Sequence, residues 1–410
     1  MASRGPMSLL PARNASRPGD DPIFALNREA MQRKAAGERI VNATVGALLE
    51  DDGRLAVLPS VVEALREVAP LKAAAYAPIA GAPEFLNAVI RDLLGGSSLA
   101  DCATAVSTPG GTGALRHAVS TFLERGQSLL TSSFYWGPYA TICDEHERTV
   151  TTFPMFGEHG GFDLDGFQRG LDETAAKQGR VLVFLNDPCH NPTGYSMSEA
   201  EWTAASTILA GVAKRVPTTV LADVAYLAYA KDTRSFLKHL EPLAERAAVL
   251  FAWSGSKAFT QYGQRIGALV ACTHDAAARD AMQRALAWAC RGTWSNCNAA
   301  GQYAVARCLT DAPLKAKVDG ERDRLRDLLD ARVAAFNRAA EGTSLRYPRY
   351  DGGFFVTVFS PEAKAHAEKL KARGVFVVPS AGALRVALCG VAQSDVATVV
   401  GAIDEVLRGA

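Results

Sequence analysis

Residues 247–270, AAVLFAWSGSKAFTQYGQRIGALV, join an apolar run to a turn of small and polar residues around one lysine, and then return to apolar sequence. The first run is too short for an ordinary helix and fits a strand buried on both faces. Two further runs repeat the pattern upstream. VLVFL (181–185) leads through a turn into an amphipathic stretch from Ser198 to about Val216, and TTVLA (218–222) leads into a polar stretch to about Arg246. Short Val- and Leu-rich runs separated by helices predict an α/β domain with a mainly parallel, doubly wound sheet, covered by helices on both faces and joined by right-handed crossovers.

The pattern changes near residue 311. DAPLKAKVDGERDRLRDLLDARVAAFNRAAEG spaces its apolar residues three or four apart, as a long helix does. After it, GGFFVTVF, VFVVP and LRVALCG read as strands, AKAHAEKLKARG as a helix, and a last helix begins at Ser394. The expected organisation is a flexible arm over 1–22, a smaller α+β domain from 23–54 with 316–410, and a large domain over 55–315.

A chain of 410 residues can build a large core with a second domain attached. Its 44 Lys and Arg nearly cancel its 43 Asp and Glu. That balance gives no general attraction to nucleic acid or membrane and points to a small-molecule binder. The eight cysteines are scattered and never spaced CxxC, which argues for reduced thiols and against a zinc cluster or disulfide framework. The sequence has no run of 18 apolar residues and no secretory leader, so a cytoplasmic protein is expected.

Ligands of open parallel sheets bind beyond the carboxyl ends of the strands. VLVFL is followed by NDPCHNPTG with Asn191, VLA by Asp223 and Tyr226, and VLFAW by Ser254 and Lys257. Upstream, VSTPGGTGALRHAV places Gly111 and Thr112 between a short strand and a helix, where free N–H groups and the positive end of the helix dipole suit a phosphate. The turn matches neither GxxxxGK[ST] nor GxGxxG, since position 116 is Arg, which argues against a nucleoside triphosphatase and a dinucleotide enzyme. A phosphorylated pyridine aldehyde would use the whole set: a cradle from Gly111, Thr112, Ser254 and Arg265, an amine from Lys257, a carboxylate from Asp223, and ring-oxygen donors from Asn191 and Tyr226. Each residue also has a plain reading. Lys257 alone is a surface charge, Asp223 a helix cap, NPTG a turn, Arg265 an ion-pair partner and Trp136 a core residue. Their common position at consecutive strand ends separates the two readings.

With these residues in view, the sequence resembles the fold-type I pyridoxal-phosphate aminotransferases of class I and II, and within them the aspartate and aromatic aminotransferase group. The resemblance is carried by YAPIAGAPEF, TPGGTGALR, YWGPY, HNPTG, ADVAY, SGSKAFTQYGQRIGAL, RGTWSN and ALRVALCG, in order between residues 76 and 390, with VNATVGALLEDDG (41–53) as a weaker match. It implies that Lys257 forms the covalent link to pyridoxal 5′-phosphate and moves the substrate α-proton, while Asp223 pairs with the pyridine N–H⁺. Tyr226 and Asn191 would bond the ring oxygen, Trp136 would stack on the ring, and Tyr76 would reach the phosphate from a second subunit. Arg385 would grip the substrate α-carboxylate in a bidentate fork, beside Gly46, Asn191 and Trp136. Arg291 of RGTWSN would cross from the neighbouring subunit to bind a side-chain carboxylate, or swing away for an aromatic one.

Two positions depart from the group. Tyr139 stands where the aspartate enzymes usually have a histidine supporting the aspartate, and Ala75 where they often have asparagine. The smaller Ala75 leaves room for a broad or aromatic specificity. The implied activity is ping-pong transfer of an amino group between aspartate or an aromatic amino acid and 2-oxoglutarate, in a homodimer with shared sites and no metal. The alternatives are a β-lyase or decarboxylase on the same scaffold, and a non-enzymatic regulator that binds the same cofactor.

Overall fold

The computed structural model describes residues 9–409; the first eight residues of the expected arm lie outside them. The strands are β1 Val41–Ala43, β2 Ala103–Pro109, β3 Ser128–Ser132, β4 Thr149–Phe153, β5 Val181–Leu185, β6 Thr218–Asp223, β7 Ala248–Ser254, β8 Ile266–Cys272, β9 Val356–Phe359, β10 Val375–Ser380 and β11 Ala383–Val386. Among the described residues they form a seven-stranded sheet, ordered β2-β8-β7-β6-β5-β3-β4, and a four-stranded sheet, ordered β1-β10-β11-β9. The fold is the α/β class expected from the sequence, with a mainly parallel large sheet and a smaller mixed one.

The three apolar runs form the centre of the large sheet. Their side chains alternate between two cores. Val181, Val183 and Leu185 of β5, with Val249, Phe251 and Trp253 of β7, face one core, and Leu182, Phe184, Leu250 and Ala252 face the other. Helices Pro83–Leu94, Leu164–Gln178, Glu199–Ala213 and Ala299–Thr310 close the first core; Gly110–Phe122, Pro138–Glu145 and Ala276–Arg291 close the second. A strand covered on both faces has no polar side, hence the unbroken apolar runs. Phe251 is fully buried, and Phe251→Ala costs about 3–5 kcal/mol through lost burial and the cavity left behind.

Two features add to the sequence expectation. β8 runs antiparallel to β2 and β7. Only residues 255–265 separate it from β7, fewer than the dozen a parallel crossover needs, so the lysine segment has to be the bend of an antiparallel pair. The connection from β6 to β7 is a chain of short turns (Leu227–Tyr229, Leu237–Leu240 and Glu241–Glu245) in place of a covering helix. Asp232 there accepts bonds from the amides of Arg234 and Ser235 at 2.9 and 3.0 Å, and Pro242 cannot continue a helical ladder.

The helix Ala312–Ala340 starts at an Asp311 cap and serves both ends of the molecule. Val318, Leu325 and Leu329 enter the main core, whereas Val333, Phe336 and Ala340 enter the core of the small sheet. Between them Arg332 is fully buried. Its guanidinium donates to Cys389 O at 2.8 Å, Leu49 O at 2.7 Å and Asp51 Oδ1 at 2.8 Å. One side chain thus ties the helix to the segment after β1 and the loop after β11. β1 in turn pairs in parallel with β10, joining the two ends of the chain.

Candidate active site

The carboxyl ends of β5, β6 and β7 open into a cavity of about 430 Å³ that the segment after β1 and strand β11 close from the other side. Asp223, the last residue of β6, is 5% exposed and faces it. Its Oδ2 accepts the Tyr139 hydroxyl at 2.6 Å, its Oδ1 accepts the Ala225 amide at 3.3 Å, and its backbone carbonyl accepts Asn186 Nδ2 at 2.8 Å. Burial raises its carboxyl pKa to about 6, against the opposing pull of the Tyr139 bond and the Ala225 amide. Asn186 also receives the amide of Asn191 at 2.6 Å, which holds the NPTG loop against β6. Asn191 Nδ2 donates to Tyr226 Oη at 3.3 Å, and its Oδ1 is buried without a partner.

Lys257 follows β7 in the short helix Gly255–Ala258. Its ammonium donates to Gly46 O at 2.6 Å and lies 4.7 Å from the Tyr262 ring centroid and 5.7 Å from that of Tyr226. Desolvation draws its pKa down to about 8; Arg265 and Arg385 push the same way and Cys389 pushes against them. A free amine is then a sizeable fraction at neutral pH, unlike that of an exposed lysine. Gly46 is fixed by packing, because an added Cβ would lie 2.5 Å from Phe355 Cζ.

Thr108–Pro109 ends β2 and the helix Gly110–Phe122 starts at once, its first turn facing the cavity with Gly111 and Thr112. Gly110 has φ +72°, and a Cβ there would press on the Arg265 guanidinium at 2.5 Å. Arg265, whose pKa burial lowers, donates to Ser256 Oγ at 3.1 Å and to Tyr262 O at 2.9 Å. With Ser254 these groups converge on one end of the cavity: helix amides, three hydroxyls and a guanidinium, a donor set suited to a dianion.

Arg385 of β11 stands on the opposite wall, 7% exposed. Its guanidinium packs over Phe355, 4.7 Å from the ring centroid, and one nitrogen donates to Thr44 O. Its Nε is buried without a partner. Burial lowers its pKa, and the nearby Tyr226, Cys389 and Asp21 favour its charge.

The structure therefore brings Gly46, Gly111, Thr112, Trp136, Asn191, Asp223, Tyr226, Ser254, Lys257, Arg265 and Arg385 to one cavity. It does not bring Tyr76 and Arg291 there within the same chain. Tyr76 is 91% exposed, and Arg291 lies on the surface with Nη1 bonded to Ser295 Oγ. Sequence reasoning also missed part of the wall. Asp21, Ile23 and Phe24 line the cavity from the N-terminal side, where Asp21 caps the helix Pro22–Ala35 through the amides of Ile23 and Phe24 at 2.8 and 3.2 Å. An Asp-Pro pair ahead of an apolar residue is a helix-start signal that could have placed this segment. Val45, Tyr262 and Phe355 also line the cavity.

No helix among the described residues is long and apolar enough to cross a membrane. The eight cysteines are free thiols. The sequence profile of the family described as aminotransferase class I and II matches residues 38–403. The chain is 30% identical over 311 residues to an aromatic-amino-acid aminotransferase of Paracoccus denitrificans, covering 75% of this chain and 77% of that protein. It is 28% identical over 404 residues to an aspartate aminotransferase of Escherichia coli K12, covering 94% and 98% of the two. Among solved structures, an aminotransferase of Anaerococcus prevotii superposes with a TM-score of 0.94 at 33% identity, over 98% of this chain and 100% of that one.

Proposed function

The chain belongs to the class I and II aminotransferases, and from that premise we propose that it exchanges an amino group between aspartate or an aromatic amino acid and 2-oxoglutarate, by a ping-pong mechanism with pyridoxal 5′-phosphate. The observation that carries the reading is the convergence of Lys257, Asp223 and the Gly111–Arg265 donor set on one cavity that also holds Arg385. The residues fit the cofactor. The unpartnered Asn191 Oδ1 and Arg385 Nε are polar atoms on residues that line the cavity, and the glycine turn leaves space that a side chain would fill.

When bound, pyridoxal phosphate supplies an aldehyde for amine exchange and a protonated ring that takes up the electron pair left on the substrate α-carbon. Lys257 carries the attachment and, once free, holds and returns the α-proton at Nζ; its lowered pKa keeps a usable share of it neutral. With the group bound, Asp223 would pair with the ring nitrogen, Tyr226 and Asn191 would hydrogen-bond the ring oxygen, and Trp136 would lie against the ring. Gly111, Thr112, Ser254 and Arg265 take the phosphate. Arg385 holds the α-carboxylate on its apolar bed of Phe355, with Gly46 beside it. We place this chain in a cytoplasmic homodimer in which the partner's copies of two exposed residues, Tyr76 and Arg291, reach the phosphate and a side-chain carboxylate. The division into 23–54 with 316–410 and 55–315 puts the cavity between a small and a large domain.

Purified protein given pyridoxal phosphate is expected to show a visible absorbance band that Lys257→Ala removes. A donor panel with 2-oxoglutarate then identifies the amino acid. Turnover that needs no keto-acid acceptor would favour a lyase or decarboxylase instead.

A further inference from the structure

We infer that Tyr139 is a positioning residue for the cofactor site: one buried phenol holds the Asp223 carboxylate toward the cavity through its hydroxyl and fixes Trp136 through its ring. The inference rests on the pyridoxal phosphate reading of that cavity. Tyr139 lies in the first turn of the helix Pro138–Glu145 and is 1% exposed. Its hydroxyl bond to Asp223 Oδ2, at 2.6 Å, is the one strong bond the carboxylate receives; the Ala225 amide at 3.3 Å is long. The ring meets Trp136 edge-on, with centroids 5.9 Å apart at 87°, and is itself held by Phe184 at 5.2 Å and 85° and by Tyr135 stacked at 6.2 Å. Carboxylate and indole, two groups that face the same cavity, thus share one support.

The charge of Asp223 follows from the same geometry. The titratable groups that face it are Tyr139, from the helix Pro138–Glu145, and Tyr226, from the turn after β6. Burial holds both phenols above their ordinary range, so neither changes charge near neutral pH. Among the described residues no lysine, arginine or histidine hydrogen-bonds or ion-pairs with Asp223, although Lys257, Arg265 and Arg385 line the same cavity. Burial, which favours the neutral acid, is therefore opposed chiefly by the Tyr139 donor. Without that donor Asp223 takes up its proton at higher pH and offers a cationic ring nitrogen less.

The test follows pyridoxal phosphate retained by wild type, Tyr139→Phe, Asp223→Asn and the double variant after equilibrium dialysis across pH, read as protein-bound absorbance. Tyr139→Phe is expected to weaken binding about ten- to a hundredfold, the range for a lost hydrogen bond to a charged group. Its acid limb should move to higher pH than that of wild type. In the Asp223→Asn background the same change should alter affinity by less than about twofold, because the two effects run through one contact. A merely structural loss would leave the acid limb in place and weaken both backgrounds equally, and that result overturns the inference. If Tyr139→Phe fails to fold, Tyr139→His, which keeps a donor for Asp223, is read in its place: affinity and acid limb close to those of wild type support the inference, and a loss that persists unchanged in the Asp223→Asn background overturns it. A wild-type protein that retains no pyridoxal phosphate overturns the underlying reading, and the inference with it.

Discussion

Asp223→Asn should stabilise the cofactor-free protein while weakening it as a cofactor binder. The carboxyl titrates at about 6 in the fold because burial penalises its charge, whereas an unfolded aspartate titrates near 3.9. Between those values the folded state holds a proton that the unfolded state has released, so stability falls as pH rises through the window. About two units at roughly 1.4 kcal/mol each give a penalty of about 3 kcal/mol, complete above pH about 6 and absent below pH about 4. Asparagine keeps an oxygen for the Tyr139 hydroxyl and carries no charge, so it escapes the penalty. For a chain of this length unfolding entropy is about 0.9 kcal/mol per kelvin, so the apoprotein of the variant should melt about 3 °C higher in mild alkali. The gap should close near pH about 4. Calorimetry or circular dichroism on matched apoproteins over that range provides the measurement. Equal melting at every pH, or a variant that melts lower in alkali, would refute the claim that Asp223 is held charged against burial.

Lys257 gives the opposite sign: its pKa of about 8 means that the amine sheds its charge more readily in the fold. The rate at which the apoprotein takes up pyridoxal phosphate should therefore rise as pH passes through about 8, not near the usual lysine value of about 10.4, when followed by stopped-flow absorbance. Arg291→Ala should cut kcat/KM for aspartate and 2-oxoglutarate far more than for phenylalanine, by about 2–5 kcal/mol if it leaves a charge unpaired; equal losses remove Arg291 from its role. Gly46→Ala forces a Cβ against Phe355 and should cost about 1–3 kcal/mol in thermal stability, together with weaker substrate binding because Phe355 carries Arg385. Arg332→Ala removes a buried guanidinium that joins three segments, and should lower stability by about 3–5 kcal/mol in a denaturant titration.

The fold was legible where local sequence and tertiary environment make the same demand. VLVFL and AAVLFAW are apolar throughout because both of their faces are covered, and residues placed just beyond such strands had to share a cavity. Lys257, Asp223 and Asn191 were accessible for that reason. The reversed direction of β8 depends on loop length rather than apolar pattern, since its Ile266–Cys272 run would read alike in either direction. The N-terminal wall was harder still. GDDPIFAL has the polar start of an arm, and Asp21 comes near enough to Arg385 to favour its charge in a fold where β1 pairs with β10 across most of the chain. Phe355 reads as part of a strand, yet β9 begins one residue later and the Phe355 ring is left beneath the guanidinium.

Four groups that the fold leaves incompletely satisfied line the cavity. Asp223 is held charged against burial, Lys257 is desolvated, and Asn191 Oδ1 and Arg385 Nε have no partner. Each is a cost to the empty protein, and nothing in the packing of the surrounding sheet requires it, since the cores on either face are apolar and closed. A ligand that presents a cation to Asp223 and an aldehyde to Lys257 removes the first two costs together, and a substrate carboxylate at Arg385 relieves another. Binding should then raise thermal stability with ligand concentration as mass action requires. The gain should shrink most in Asp223→Asn, in which the relieved charge is already gone, and a gain equal to that of wild type would detach the stored strain from the ligand.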